Sequence, residues 1–518
     1  MKHQLLTIAV CLVTAAACAQ ESSQRYWDSA ETWKGSGNAA LLSLDALPDH
    51  GYAEFSGQRR EGSYHRVQEG TSTNSLTFET RRYQKISGLL TGYGSFAFDN
   101  SRTKGRAWAD VMRPYDATPY YPGSRLPGRY DRQTIAMQAV LATRPLLFRS
   151  EDGSDGLRAG LDFAYAVSDL SRLRDPRSRS ELLDYRLAPA LSLTRGGHTV
   201  GLSPSYERRK EKIPNMKTVQ DDPNLEYYEL RGLDQGVGAV GYYKGFSRQW
   251  TDHRLGLSLA YDYRLDHQKS TTSIAFESGR EEALEQEKAN PAVYRTMKYA
   301  LHSKNSVASG HLLHTLTLDI TTQRGLGDEH HQQRVQTNDA TTGTASYHYE
   351  TVIDYRKRYQ QDISQGTFAY RLSHLASQAT DRYAGFGFSL YTNEQTHRLP
   401  LSTFSRQRFV LSAEGGTALA GQHLWIDATL GYAFTGTKAD DMALAEPQMA
   451  FAQDVLLRDI AFYTADYWQF GLQAKYLFGF RLKGMASTAY LKASANYLRT
   501  QGTHMENRLF GLTLGIMN

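Results

Sequence analysis

The 518-residue chain has little cysteine, and what it has lies at one end. Its two cysteines, Cys11 and Cys18, fall within the first 19 residues. If those residues are removed as a signal, the remaining chain has no thiol, which excludes disulfides, zinc–thiolate sites and cysteine nucleophiles. An exported chain of this size then needs another source of stability, and a large hydrogen-bonded sheet is one candidate.

Long apolar runs and an excess of one charge are also missing. No run after the N-terminus approaches the roughly 20 apolar residues of a spanning helix, and the mean hydropathy is −0.53. Helical channels and transporters are therefore excluded. The 59 Lys and Arg residues nearly balance 54 Asp and Glu, whereas a nucleic-acid binder usually carries a strongly basic domain. We expect no nucleic-acid partner, and a soluble protein or a membrane β-barrel remains.

The N-terminus has the pattern of a secretory signal. Lys2 supplies positive charge, residues 5–16 form a short apolar core, and Ala17-Cys18-Ala19 is a small-x-small cleavage site. We predict a signal peptide over residues 1–19 and a mature chain that begins at Gln20. Lipidation of Cys18 is the alternative, which Ala15 disfavours because a lipoprotein signal normally has a large aliphatic residue there.

From about Tyr52 onwards, apolar and polar residues alternate, which is typical of strands with one apolar face. In the clearest segment, Leu424 to Phe434, one face carries Leu, Ile, Ala, Leu, Tyr and Phe, and the other carries Trp, Asp, Thr, Gly and Ala. Residues 255–265 repeat the pattern. Many runs approach ten residues or more, longer than the usual 5–6 of soluble domains and suited to the roughly 9–11 of a spanning strand.

Aromatic residues collect near the ends of these runs, as Tyr432 and Phe434 do. Interfacial girdles of membrane barrels place aromatic rings at this height. The sequence therefore predicts an all-β fold, a transmembrane antiparallel β-barrel of about 14–18 strands over residues 50–518, with longer extracellular loops and one loop helix. Residues 20–49 are too few for a plug domain, and we predict a short periplasmic or lumenal segment there.

Five longer insertions are the expected recognition loops, because binding residues concentrate on loops held by a rigid scaffold. They cover residues 113–130, 209–236, 278–304, 325–343 and 438–453. Residues 281–288 are mostly good helix formers, so we predict a helix from Ser278 at least to Asn290, broken by Pro291.

No catalytic, cofactor-binding or metal-binding residue is assigned. His330 and His331 follow two acidic residues, but neighbours on an extended chain point apart, so a solvated polar loop is preferred to a metal site. His311 and His314 have an odd separation and cannot share a site on a strand without a bulge. Arginines at positions 208, 209, 356 and 358 could favour anions in a lumen, but pairing with nearby carboxylates is the preferred interpretation.

The chain resembles an uncharacterised family of Bacteroidota outer-membrane β-barrel proteins. The matching features are the junction at residues 17–20, the strand Gly51-Tyr52-Ala53-Glu54-Phe55, the strand and turn over residues 92–100, and an amphipathic strand that closes the chain. Asn518 departs from the aromatic C-terminal residue of many barrel proteins. The resemblance implies a barrel in the outer membrane of a Gram-negative bacterium, and it transfers no site residue.

The predicted function is passage or capture of a solute at the outer membrane, as a pore or as an accessory of an energised uptake system. We expect no enzymatic activity and no cofactor. The alternatives are an outer-membrane hydrolase acting on lipid or protein, and a structural or surface-binding barrel with a blocked lumen. Expected partners are outer-membrane lipid, an unidentified solute and, as candidates, a TonB-dependent receptor or a surface lipoprotein.

Overall fold

The computed structural model describes residues 20–45, 47–115, 118–151, 153–219, 226–237, 245–285, 289–338, 345–376, 379–482 and 485–517. The predicted signal peptide, with Cys11 and Cys18, and the terminal Asn518 lie outside the described residues. No helix in the described ranges is long and apolar enough to cross a membrane.

The described chain is mostly strand. The strands are β1 (His50–Gly62), β2 (Ser72–Lys85), β3 (Leu90–Arg106), β4 (Pro122–Ser124), β5 (Gly128–Thr143), β6 (Gly156–Arg172), β7 (Arg179–Arg195), β8 (His198–Ile213), β9 (Tyr227–Leu230), β10 (Gly236–Val237), β11 (Arg248–Leu265), β12 (Gln268–Glu285), β13 (Ala292–Ser309), β14 (Leu312–Asn338), β15 (Ala345–Leu375), β16 (Thr380–Arg398), β17 (Leu401–Leu419), β18 (Leu424–Thr435), β19 (Met442–Ala443), β20 (Tyr467–Leu482), β21 (Met485–Thr500) and β22 (Glu506–Met517).

Eighteen of these strands form one closed antiparallel barrel, so the predicted fold class is confirmed. The four short strands β4, β9, β10 and β19 lie in the connections. Barrel closure is made by β1 and β22, which pair from Tyr52 opposite Met517 to Gly62 opposite Asn507. Closure leaves no free sheet edge in the barrel wall, which is the condition for a sheet to exist in lipid.

The two ends of the barrel differ in their connections. At one end, which we name the short-turn end, strands are joined mostly by tight turns such as residues 196–197, 266–267 and 310–311. At the other, the loop end, the long connections lie between β3 and β5, β8 and β11, and β18 and β20. The last of these contains the helix α1 (Leu457–Tyr463), preceded by a π-helical turn, Ala452–Leu456.

The predicted helix from Ser278 to Asn290 is wrong. Residues up to Glu285 belong to β12, which pairs with β11 on one side and β13 on the other. Two ladders of backbone hydrogen bonds outweigh helix propensities that differ by only a few tenths of a kcal/mol per residue. The loop helix lies instead at α1, within the connection from β18 to β20.

The predicted loop over residues 325–343 is also wrong for its described part. Residues up to Asn338 continue β14, which pairs with β15 almost to its end through two register shifts. β15 has 31 residues. At about 3.3 Å per residue, its length is more than three times the thickness of a hydrocarbon core, which is about 30 Å. This hairpin therefore extends far beyond the other strands at the loop end.

Side-chain burial follows the predicted alternation. Along β11 the residues Leu255, Leu257 and Leu259 are exposed on the outer wall, whereas Ala260 and Asp262 are buried inside. β18 behaves alike, with Leu430 and Phe434 outside and Trp425 and Asp427 inside. The barrel thus has an apolar exterior and a mixed, largely polar interior.

Candidate functional site in the barrel lumen

Residues 20–45 contact inward-facing side chains from most of the barrel wall at the short-turn end. Residues 20–30 are helical, and a 3₁₀ helix, Ala39–Leu44, follows. The Arg25 guanidinium donates to both carboxylate oxygens of Asp427 on β18, at 2.8 and 2.9 Å. It also lies 4.0 Å from the ring centroid of Trp425. A planar guanidinium gains both contacts from one side chain, which an ammonium could not do.

Further contacts fix the start of this helix. Lys475 on β20 donates to Glu21 at 2.6 Å, and Glu21 also accepts from Arg25 at 2.9 Å. Burial alone would raise the pKa of Glu21, but the charges of Lys475 and Arg25 outweigh it and lower that pKa. Glu21 is therefore an anion at neutral pH and bridges two cations.

The second half of the segment is attached on the opposite side of the lumen. Asn38 donates from its side chain to the carbonyl of Leu191 on β7 at 3.1 Å, and Ser258 on β11 donates to the carbonyl of Ser36 at 3.0 Å. At Gly160 on β6 an added Cβ would overlap the backbone of Ala40. The segment and the wall are thus in backbone contact at that point.

A buried carboxylate connects the two halves. Asp45 accepts from the backbone amides of Thr32 and Trp33 at 3.0 and 3.1 Å. Arg264 of β11 donates to the same carboxylate at 2.9 Å. The Trp33 indole N–H donates to the hydroxyl of Tyr83 on β2 at 3.2 Å. Residues 32–45 are therefore a folded loop tied to the wall, not an extended tail.

Between the helix 20–30 and the wall lies a cavity of about 460 Å³, which we name the segment-side cavity. Carboxylates and cations alternate around it, among them Asp28, Glu54, Arg81, Arg371 and Lys492. Apolar and aromatic residues such as Leu472 and Met517 also line it. Opposite charges are close enough to pair, as in Lys492 with Glu54 at 3.3 Å.

A second cavity, of about 480 Å³, lies towards the loop end, and we name it the loop-side cavity. Its wall comes from β15, β16 and β17, which place Tyr359, Tyr391 and Arg406 towards it. The connection from β3 to β5 adds Tyr115 and Tyr121. The connection from β18 to β20 adds residues of and around α1, namely Phe451, Val455, Leu456, Asp459, Phe462 and Tyr463.

Arginines in the loop-side cavity lie against aromatic rings. Arg66 is 3.4 Å from the ring centroid of Tyr115, and it donates to Glu69 at 2.9 Å. Arg406 lies 4.7 Å from the ring of Tyr463, and Arg408 lies 5.3 Å from the ring of Phe462. Cation–π contacts of this kind are worth about 0.5–2 kcal/mol, more where water is excluded.

Asp459 of α1 is the buried acid of this cavity and is only 3% exposed. It accepts from the backbone amide of Val67 at 3.0 Å. Burial raises its pKa to about 7; the charge of Glu69 acts in the same direction, while the Val67 amide, Arg66 and Arg406 oppose the rise. The carboxyl group therefore changes charge near neutral pH.

The residues considered from the sequence lie away from both cavities. His330 is on β14 and bonds through Nδ1 to the carbonyl of Asn290 at 3.0 Å, while the His331 ring contacts Tyr355 at 5.5 Å between centroids. No group of three or more metal-ligating side chains occurs in the described ranges. His311 lies in the turn before β14, and its ring is 6.2 Å from that of His374.

Pairing is confirmed for three of the four arginines considered from the sequence. Arg209 meets Glu211 at 2.9 Å, Arg356 meets Asp354 at 2.8 Å and Arg358 meets Glu329 at 2.8 Å. For Arg208, the Nε atom is buried without a hydrogen-bond partner among the described residues.

Sequence reasoning missed Arg25, Arg406 and Arg408. The signal for the last two was present, because they share a face with Phe404 at a spacing of two on a predicted strand. Nothing in the sequence pairs Arg25 with Asp427, since the two are 402 positions apart.

The chain belongs to the family described as "Family of unknown function (DUF6850)", whose model matches residues 39–518. The predicted membership of a family without an assigned function is thus confirmed. None of the curated proteins compared with the chain matches it.

Among solved structures the chain is similar to several barrels at low identity. The siderophore receptor PirA from Acinetobacter baumannii is 9% identical, with 91% of this chain and 80% of that one covered and a TM-score of 0.40. The FrpB iron transporter from Neisseria meningitidis is 9% identical, with 93% and 83% covered and a TM-score of 0.39. The outer membrane protein opdK from Pseudomonas aeruginosa is 8% identical, with 91% and 99% covered and a TM-score of 0.34.

Proposed function

We propose that this protein is an outer-membrane β-barrel for solute uptake whose lumen is closed at rest by residues 20–45. The observation that carries the proposal is the position of that segment. It bonds to β18 and β20 on one side of the lumen and to β7 and β11 on the other. A segment held from opposite walls lies across the path that a solute would take.

Membrane insertion is supported by the exterior of the barrel. Large apolar side chains are exposed at alternate positions on many strands, for example Leu187, Leu191 and Leu193 of β7. In water this exposed area would far exceed the few hundred Å² of apolar patch that soluble monomers tolerate. In a bilayer it faces lipid, the partner expected for an outward apolar band. An origin in Bacteroidota stays a prediction of the sequence resemblance.

The orientation follows from the two ends. Outer-membrane barrels have short periplasmic turns and longer extracellular loops. The short-turn end, with residues 20–45 inside it, is then periplasmic, and the loop-side cavity is nearer to the outside. A solute would enter from the loop end and leave only when the segment moves.

The helical half of the segment is held to the wall mainly by polar contacts, whereas Trp33, Leu41 and Leu42 pack in an apolar cluster with the wall that displacement would expose. The attachments of the segment to the wall include ion pairs and hydrogen bonds from Glu21, Arg25 and Asn38. Water replaces such bonds at a net cost of about 0.5–3 kcal/mol each. A partner at the periplasmic face could supply that energy. A TonB-dependent receptor or a surface lipoprotein stays a predicted partner of the barrel.

A structural or surface-binding barrel with a permanently blocked lumen is the second candidate. The observation in its favour is the aromatic cluster at the loop end, where Trp108, Tyr228 and Phe451 pack together and are buried. In that case residues 20–45 would be a permanent part of the core, and removing them would destabilise the barrel instead of opening it.

Cells that carry the barrel can separate the two candidates. A chain without residues 20–45 should sensitise cells to a large hydrophilic antibiotic that an intact outer membrane excludes, whereas the full chain should not. Equal amounts of heat-modifiable, folded barrel in both membranes are the control. Unchanged resistance with a folded deletion variant would contradict the uptake proposal and support the blocked barrel.

A further inference from the structure

The loop-side cavity contains two cations that no carboxylate contacts directly among the described residues. Arg406 and Arg408 project from the same face of β17, separated by roughly 7 Å along the strand. Neither has a carboxylate within 4.0 Å among the described residues. Arg408 donates to the carbonyl of Phe462, at 3.2 Å, and the Nε of Arg406 is buried with no hydrogen-bond partner in the described part of the chain.

Three other arginines that face the lumen each have a carboxylate partner. Arg25 meets Asp427 at 2.8 Å, Arg254 meets Asp252 at 2.6 Å, and Arg264 meets Asp262 at 2.7 Å. This is the usual state of buried charges, because an unpaired ion in a low-dielectric interior costs several kcal/mol. The two arginines of β17 lack such a carboxylate, and they line a cavity with room for a ligand.

The other groups of the cavity indicate what the ligand carries besides negative charge. The aromatic residues Tyr115, Tyr121, Phe462 and Tyr463 line it, together with Gln361 and Gln395. The Tyr115 hydroxyl is buried without a hydrogen-bond partner among the described residues. Flat aromatic surfaces pack against rings, and amides and hydroxyls bond to polar substituents on them.

We propose that the loop-side cavity binds a ring-bearing oxyanion, with the charged group held by Arg406 and Arg408 and the ring packed against the tyrosines. The volume of about 480 Å³ is within the range of about 300–1,000 Å³ of ordinary ligand pockets. The proposal goes beyond uptake, because binding at this cavity does not require the lumen to open. A barrel with a blocked lumen could bind the same ligand.

The test is a binding titration of the purified full chain in detergent. Two ring-bearing anions serve as probes: glucuronate, a sugar acid, and phenyl phosphate. Methyl glucoside and benzyl alcohol are their neutral counterparts, and inorganic phosphate reports binding of a charged group alone. We expect at least one ring-bearing anion to bind at least tenfold more tightly than its neutral counterpart and than inorganic phosphate. Which of the two binds better distinguishes a sugar acid from a phosphorylated ligand.

Variants locate the binding. Arg406→Gln and Arg408→Gln should each weaken the anion by about tenfold or more, since a charge-assisted hydrogen bond is worth about 1.5–3 kcal/mol. Arg406→Lys, which keeps the charge, should weaken it less. Arg508→Gln is the matched control, because Arg508 already pairs with Glu506 at 2.7 Å on β22. Heat-modifiable mobility shows that each variant is folded.

Three results would overturn the proposal. One is the absence of binding by either anion up to about 10 mM, which corresponds to less than about 3 kcal/mol. Another is equal affinity for the neutral counterparts or for inorganic phosphate alone. The third is unchanged affinity in both folded glutamine variants. None of these results bears on whether residues 20–45 close the lumen.

Discussion

Arg25 and Asp427 form a two-point ion pair, at 2.8 and 2.9 Å, between the N-terminal helix and the wall of the barrel. The Asp427 carboxylate also accepts from the hydroxyl of Tyr383 at 2.9 Å and from Gln473 at 3.1 Å. One wall residue thus joins three strands to the segment. A substitution that removes the charge of Asp427 therefore tests the attachment of the segment directly.

The first prediction concerns that pair. Asp427→Asn leaves the partly buried guanidinium of Arg25 without its charged partner on the wall. Because Glu21 still pairs with Arg25, the cost should be below the roughly 3–5 kcal/mol of breaking a fully buried pair. The segment should then detach more often, so trypsin should cleave after Lys34 at least tenfold faster in the folded barrel. Asp131→Asn removes the partner of Arg102 from an exposed pair and should leave that cleavage rate unchanged. Equal rates in both variants would show that the pair does not hold the segment.

The second prediction concerns the close approach at Gly160. Gly160→Ala places a methyl group on the backbone of Ala40, so the 3₁₀ helix Ala39–Leu44 should be displaced. Amide hydrogen exchange over residues 38–44 should become faster, while the barrel strands keep their protection. Gly366→Ala on β15 is the matched control, because no atom lies within 4 Å of a Cβ added there. Unchanged exchange in Gly160→Ala would place the segment away from β6.

The third prediction concerns pH and the loop-side cavity. The pKa of Asp459 is raised to about 7, with burial as the main cause, so lowering the pH from 8 to 6 removes a negative charge beside Arg66 and Arg406. An anion should bind about threefold to tenfold more tightly at pH 6, because the nearby negative charge of Asp459 no longer repels it. Glucuronate is the suitable probe because its own charge is constant over this interval. In Asp459→Asn the affinity should be independent of pH, and a pH dependence that survives this change would assign the effect to another group.

The same pKa has a consequence for stability. The folded chain holds the proton of Asp459 more tightly than the unfolded chain, whose carboxyl has an ordinary pKa near 4. Its contribution to stability is therefore largest below about pH 4, declines as the pH rises to about 7, and is constant above that. We measure the stability of the region around α1 between pH 4 and pH 8. In Asp459→Asn its decline with rising pH should disappear, and an unchanged pH profile would argue against the raised pKa.

The fourth prediction concerns the lipid-facing band. Leu512 of β22 is 58% exposed and Val352 of the long β14–β15 hairpin is 63% exposed, yet only Leu512 is expected to face lipid. Leu512→Arg should destabilise the folded barrel by about 2–4 kcal/mol, as a cation does near the bilayer midplane. Val352→Arg should be neutral, because that part of the hairpin lies in water. Similar effects of the two substitutions on denaturant unfolding in vesicles would contradict a membrane position for β22.

Much of the barrel could be predicted because each strand carries its own period-two pattern. The segment from Leu424 to Phe434 shows it fully, and its observed burial follows it. The number of strands is harder to predict, because residues 87–99 and 102–110 each have a strand-like pattern, whereas residues 90–106 form β3 alone. A strand that leaves the membrane has water on both faces and no reason to keep alternating, which hid the length of β14 and β15.

The errors share one physical origin. Glu281, Glu282 and Glu285 favour a helix in isolation, but β12 has two neighbours that supply backbone partners, and no local signal contains that information. The same holds for the site. The arginine and tyrosine residues around the loop-side cavity lie at positions between 66 and 463. Because they are far apart in the sequence, they come together only when the barrel closes.

Conductance in a planar lipid bilayer tests the central claim most directly, because it measures the lumen itself. The purified full chain and a chain without residues 20–45 are compared after heat-modifiable mobility shows that both are folded. We predict few or no channel openings for the full chain and stable, uniform conductance steps for the shortened chain. A full chain that conducts as well as the shortened one, or a folded shortened chain that stays closed, would contradict closure of the lumen by this segment.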